Sequence, residues 1–364
     1  MKHAPSATAA IAAVLFLASS ARASKPAGVQ PTYREIKDWI LACDNGGTCV
    51  AKFVLDDMAA KSSLPDTASP GFLSITREAG PDGRLTILTQ SMADSEHAKF
   101  DPSKMELDGK PFATDWSTLA DGDLVLQDED AKTFVARVGD GKILTFVNND
   151  HPQSVSLSGL KAVLLAMDDA QGRVGTVTAL SRAGVKPASA VPPAPAIPTL
   201  VVAPAAATLD DAADVAAKVR AHQAAALKAH GCDSDASQDA AYALNSDETL
   251  VVLYCRMAAY QGSVLLYRAP RASPQTAKLV VLPTQPTLKA GLNNGEYVEG
   301  EWDAKTATFT ESAKGRGLAD CGISTQWAFD GKAFQVASFN RQERCGGPPG
   351  DWPVLFRSQV KPQS

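Results

Sequence analysis

Residues 184–208 read GVKPASAVPPAPAIPTLVVAPAAAT, with prolines at 187, 192, 193, 195, 198 and 204. Each interior proline removes a helical hydrogen bond and drives its ring into the preceding turn, so no helix can run through this stretch. It is nearly uncharged and fairly apolar, which raises the question of a membrane span. A lipid-exposed backbone must satisfy its own hydrogen bonds, and this one cannot. The spacing predicts a semi-extended Pro/Ala-rich linker of polyproline character. On either side lie segments of similar length, 24–183 and 209–364, each within the roughly 100–200 residues of a typical domain.

The first residues, MKHAPSATAAIAAVLFLASSARAS, have the three elements of a secretory leader. Lys2 and His3 are a polar start, Ala9–Leu17 an apolar run, and Ala21-Arg22-Ala23 a small-x-small cleavage pattern. The apolar run is shorter than the ~20 residues a bilayer requires. Cleavage after Ala23 and a periplasmic or secreted destination are the expectation. The chain carries 35 basic and 40 acidic side chains, a formal charge of −5. Losing Lys2 and Arg22 with the leader takes this to −7, which offers nucleic acid or anionic lipid no attraction.

Six cysteines in an exported chain read as disulfides, because the compartment is oxidising. Pairing sequence neighbours predicts Cys43–Cys49, Cys232–Cys255 and Cys321–Cys345. For the first pair, a hairpin with Cys43 facing Cys49 sets Leu41 opposite Ala51 and Trp39 opposite Phe53. Period-2 alternation then turns all six onto one face. Asn45-Gly46 and Gly46-Gly47 supply the positive-φ residues such a loop uses.

Strand and turn signals dominate both halves. In the first, LSITR (73–77) and RLTIL (84–88) flank Pro81-Asp82-Gly83, and Asp-Gly recurs at 108–109 and 140–141. Phe134–Val138 and Ile143–Val147 are read as a hairpin around Asp140-Gly141. Leu160, Val163, Leu164 and Met167 follow helical spacing, with Ser158 as cap and Gly172 as terminator. Val174–Leu180 is read as a returning strand. The second half opens with a helix over 208–231, its inward face Leu209, Ala212, Val215, Val219, His222 and Ala226, started by Thr208/Asp211 in capping-box spacing. Strands are expected at 249–255, 263–267, 278–282, 297–302, 306–312, 323–329 and 333–339, the last two joined by Asp330-Gly331-Lys332. The fold class predicted is mainly β (a β-rich α+β): two antiparallel sandwich-like domains, each with one short packed helix.

The chemistry-bearing residues form no coherent catalytic set. His97, His151, His222 and His230 lie outside zinc spacing from any cysteine pair, and the last two are about 12 Å apart along a helix. Asp121/Asp123 and Asp128-Glu129-Asp130 lack the alternating ligands of a calcium loop and read as turns at strand ends. Glu299, Glu301 and Asp303 alternate with Val298, Gly300 and Trp302, which makes them one solvated strand face. Ser158-x-x-Lys161 has none of the partner motifs of a serine nucleophile, so a cap is the better reading. A disulfide-bonded cysteine cannot act as a nucleophile. What remains is KGRGLADCG (314–322) with RQERCGGPPGDWP (341–353). Bridged by Cys321–Cys345, these gather Arg316, Asp320, Arg341, Arg344 and Asp351, either as an anion-binding corner or as Arg–Asp pairs that hold a loop together.

Those segments, with KDWILACDNGGTC, LYCRMAAYQGS and WAFDGKAF, resemble the bacterial family filed as domain of unknown function 1176, from about Tyr33 to Arg357. The resemblance implies an exported, cysteine-bearing envelope protein. The first half alone is similar to the invasion-associated locus B proteins, small periplasmic β-domains, through its DW…C…C start, MELDGKPF and VSLSGLKAVLLAMD. It lacks the further cysteine pair usual between their middle strands. The expectation is a non-catalytic binding or structural module, meeting an envelope protein or glycan and using no cofactor or metal. The alternative is a periplasmic hydrolase acting on a polar substrate at the Cys321/Cys345 corner, with Arg316, Asp320, Arg341 and Arg344 as candidate ligand-binding residues.

Overall fold

The computed structural model describes residues 1, 30–55, 64, 69–90, 101–120, 122–146, 152–203, 208–233, 235–285 and 294–363. The leader reading, His97, His151, Asp121 and Val147 fall outside the described residues. No described helix is long and apolar enough to cross a membrane. The architecture is mainly β, with several antiparallel sheets and few helices.

A sheet of seven strands runs through the N-terminal half: β1 (Thr32–Ile36), β2 (Trp39–Cys43), β3 (Cys49–Phe53), β4 (Phe72–Arg77), β5 (Leu85–Gln90), then β7 (Leu124–Gln127) and Ser117–Thr118 at the edge. Its first hairpin has the register the alternation predicts: Trp39 opposite Phe53, Leu41 opposite Ala51, Cys43 opposite Cys49. The Asp44 carboxylate closes the loop by accepting from the amides of Gly46 (2.8 Å) and Thr48 (2.9 Å). All six facing side chains enter one core. The Pro81-Asp82-Gly83 turn joins β4 to β5 as expected.

A second sheet contains β6 (Met105–Leu107), β8 (Ile143–Phe146) and β9 (Gln153–Ser156), with short edges at Ser69–Pro70 and Lys110–Pro111. Two helices pack between and beside the sheets: α1 (Asp128–Val138) and α2 (Leu160–Ala170). α1 overturns the hairpin expected over 134–147, so the N-terminal half carries a pair of helices where one was expected. Ala131, Phe134, Val135 and Val138 are buried at i, i+3, i+4, i+7, and Asp128, Glu129 and Asp130 favour the positive end of the helix dipole. The acids are therefore a helix start, and Asp140-Gly141 turns a helix into β8.

The cap expected from Ser158 is also absent. Gly159 holds the N-cap position at φ 98°, where a Cβ would stand 2.6 Å from the Ile36 carbonyl oxygen. Nor is 174–180 a strand. The buried Arg173 guanidinium donates to Gln171 (2.9 Å), Thr178 (3.1 Å) and the Glu78 carbonyl (3.1 Å). Asp168 accepts from the amides of Leu180 and Ser181. Side-chain bonds replace the ladder that this apolar run would otherwise seek.

The proline-rich stretch runs along the N-terminal half. The Val177 amide donates to Lys186 O (2.9 Å) and Val191 is buried. It then forms β10 (Thr199–Val202). The expected helix divides at Gln223 into α3 (Ala212–His222) and α4 (Ala224–Ala229), and neither carries a side-chain N-cap bond. Val215, Ala216, Val219 and Leu227 are buried, whereas His222 faces solvent, against the inward face expected. The break turns Gln223 toward the Ala277 carbonyl (3.1 Å).

Two further sheets stack in the C-terminal half. One holds β11 (Ala240–Ala243), β12 (Glu248–Met257), β13 (Gly262–Pro270) and β14 (Glu296–Val298), with Lys278–Leu279 as all that pairs of the strand expected at 278–282. The other runs β15 (Glu301–Asp303), β16 (Thr308–Lys314), β17 (Gly322–Phe329), β18 (Phe334–Gln342), β19 (Val354–Arg357). Leu250, Val252 and Leu266 meet Phe309, Trp327 and Phe329 between them. The chain crosses from one sheet to the other at Glu299-Gly300, so the strand expected over 297–302 is split. Glu299 takes φ 47°, and a Cβ on Gly300 would stand 2.5 Å from Val264 and 2.7 Å from Phe309. The chain's last strand, β20 (Gln359–Pro362), pairs in parallel with β10.

Candidate functional site

The six cysteines form three disulfides, Cys43–Cys49, Cys232–Cys255 and Cys321–Cys345. Around the last, Arg316 grips the buried Asp320 (Nε–Oδ1 2.8 Å), and that bond holds the carboxyl below its usual range. A carboxylate oxygen of Asp320 also lies within 4.8 Å of the sulfurs of Cys321 and Cys345, but those two sulfurs are bonded to each other. Gln342 donates to the Asp320 carbonyl (2.7 Å), and Trp352 to that of Ala319 (3.0 Å).

The other candidate arginines turn elsewhere. Arg341 pairs with Glu343. Arg344 reaches back to β1, bonding Glu35 (2.7 Å) and the Val54 carbonyl (3.3 Å), while the Tyr33 hydroxyl accepts from the Glu343 amide (3.0 Å). Lys52, nearly buried, meets Asp351 (2.8 Å), and Arg357 meets the buried Asp44 (2.6 Å). Between these pairs Ala42, Phe339 and Leu355 form a small apolar patch with Tyr33, Val50, Ile323 and Phe356. The structure thus brings Arg316 and Asp320 together, and sends Arg344 into a seam between the first hairpin and the segment 339–357. These cations already have carboxylate partners.

Burial pulls the Lys52 ammonium below the ordinary lysine range, and Asp351 opposes the shift. Desolvation of this charge roughly cancels its Coulomb gain, while Asp351 is half-exposed. Lys52→Met keeps the stem and returns Asp351 to water. We expect it to change unfolding free energy by less than about 1 kcal/mol in urea titrations; a loss above ~2 kcal/mol would mean that the ion pair holds the seam.

An opening of about 710 Å³ lies on the outer face of β15, β16 and β17. Thr308 and Thr310 of β16 and Gln326 of β17 line it. Glu301 and Asp303 alternate on β15, opposite Thr310 and Thr308, while Trp302 between them is buried on the other side. Lys305 stands at the β15–β16 turn, and the paired strands β10 and β20 contribute an apolar wall of Val202, Val360 and Pro362. Asp303 accepts from Thr306 (2.8 Å), which lowers its pKa, and Thr306 in turn bonds Thr308 (2.8 Å). Among the described residues, the side chains of Glu301, Lys305, Thr310 and Gln326 have no hydrogen-bond or ion-pair partner. The volume is within the roughly 300–1,000 Å³ of small-molecule sites.

Alternation alone makes Glu299, Glu301 and Asp303 one solvated strand face. The backbone break removes Glu299 from that face and ties its carboxylate to the Gly262 amide. Thr308, Thr310 and Gln326 carry no motif. Their one signal was the T-x-T-x-T alternation at 306–310, which puts hydroxyls on a single strand face.

A family model described as "Protein of unknown function (DUF1176)" matches residues 33–359. The Uncharacterized protein YpfG of Escherichia coli (strain K12) is 29% identical over 343 residues, covering 90% of this chain and 93% of that protein. No solved structure matches the chain.

Proposed function

The chain belongs to the DUF1176 family, and from that premise we infer that it is an exported, non-catalytic binding module of the cell envelope. In this reading the leader is removed after Ala23, the chain works in the periplasm or outside the cell, and 24–183 and 209–364 are its two domains, joined through 184–208. The ligand occupies the groove over β15, β16 and β17. The observation that carries the reading is a contrast in polar chemistry. At the Cys321–Cys345 corner, Arg316, Arg341 and Arg344 are consumed by Asp320, Glu343 and Glu35. In the groove Glu301, Thr310 and Gln326 hold their hydrogen-bonding capacity open toward solvent. A hydrolase at the corner would have to break its own ion pairs before meeting a substrate.

Amide-resolved NMR of the full chain, titrated with the small-molecule fraction of an envelope extract, tests this reading. Shifts centred on Thr308, Thr310 and Gln326 are expected. Shifts centred on Arg316 and Arg341 would return the site to the corner, and no saturable shift anywhere would remove the binding reading.

A further inference from the structure

Resting on that groove reading, we propose that the occupant is a neutral, hydroxyl-rich carbohydrate. The acceptors come first. Glu301 and Asp303 are alternate residues of β15, so their Cα atoms stand about 7 Å apart. An ionised carboxylate only accepts, and its two oxygens suit the adjacent hydroxyls of a sugar ring. The floor is complementary. Thr310 and Gln326 face each other across β16 and β17, and a hydroxyl or carboxamide can both donate and accept, as a sugar hydroxyl does.

The opposite wall is apolar, with Val360 and Pro362 exposed to the C–H face of a ring. Two carboxylates against Lys305 leave the lining with a net negative charge, which disfavours phosphorylated, sulfated or uronate chains. Strand addition by a peptide is disfavoured at the floor, because β16 and β17 are paired on both edges. What the floor presents is side chains only.

The test is isothermal titration of the full chain with maltotriose, cellotriose and chitotriose, each beside trilysine. The expected result is saturable binding of at least one trisaccharide, unchanged between 0.1 and 0.5 M salt because no ligand charge is screened. Glu301→Ala and Thr310→Val should each weaken it by about tenfold or more, the size expected for losing one hydrogen bond to a charged group or leaving a polar partner unmatched. Arg341→Ala, at the disulfide corner and outside the groove, should leave it unchanged. Matching thermal midpoints for the variants exclude misfolding as the cause. Binding of trilysine alone, weakened by salt and by Glu301→Ala, would overturn the carbohydrate while keeping the groove as a site. Sugar binding that neither groove variant weakens would overturn both, as would no binding by any probe.

Discussion

Glu311→Gln is expected to stabilise the chain by about 3 kcal/mol at pH 8 and to leave it nearly unchanged at pH 4. Glu311 lies on β16, only 8% exposed, where burial pushes its carboxyl from 4.5 up to about 7. The Val298 amide donates to it (3.2 Å), and Thr325, opposite it on β17, is already bonded to Gln285 (3.0 Å). Among the described residues no cation pairs with it. A shift from 4.5 to about 7 is roughly 2.5 units, and at 1.36 kcal/mol per unit this is about 3 kcal/mol. The sign follows from the direction. The folded chain binds this proton more tightly than the unfolded chain, so the contribution is complete below about pH 4.5 and disappears as pH rises through about 7. Glutamine keeps the shape and an acceptor for Val298, and it never ionises. Urea unfolding at pH 4, 6 and 8 measures the effect. Equal pH dependence in the wild type and Glu311→Gln would show that the carboxyl is ionised without cost.

Trp39→Ala should cost about 3–5 kcal/mol, the range for deleting a fully buried large aromatic. Trp39 is 0% exposed and meets Phe53 edge-on at 6.0 Å, the cross-strand partner that the hairpin register sets opposite it. Its indole Nε1 also donates to the Ser156 carbonyl (3.0 Å), which ties β2 of the first sheet to β9 of the second. Trp39→Phe separates the two contributions. It refills most of the cavity but leaves the carbonyl without its donor, a loss of about 1–3 kcal/mol. Equal losses for Ala and Phe in denaturant titrations would place the whole effect in the hydrogen bond, and a loss below ~1 kcal/mol for Ala would mean that the sheets close without this ring.

Much of the first hairpin was written into its own residues. Trp39, Leu41 and Cys43 alternate, the Asn-Gly-Gly loop fixes the turn, and cross-strand partners follow from counting outward. The Asp82-Gly83, Asp108-Gly109 and Asp330-Gly331 turns were legible for the same reason. The misread segments differ in kind. At 128–138 the helical period was present at 131, 134, 135 and 138, but a β-rich neighbourhood and an Asp-Gly turn outweighed it. At 174–180 no local pattern could have shown the outcome, because it depends on Arg173 reaching the Glu78 carbonyl, 95 residues away.

The candidate sites divide along the same line. Sequence alone determined the mainly β character, the inward face of the first hairpin as set by alternation, and the nearness in sequence of the charged residues that flank Cys321 and Cys345. These depend on contacts between residues near in sequence, where strand period and turn chemistry decide the result. Only the tertiary structure decided what those charges meet. Arg344 finds Glu35, Arg357 finds Asp44 and Lys52 finds Asp351, each across roughly 300 residues of chain. It also decided that Glu301 and Asp303 face a groove whose other wall comes from β10 and β20. An ion pair or a groove wall depends on where distant backbones are brought together, and no local period encodes that.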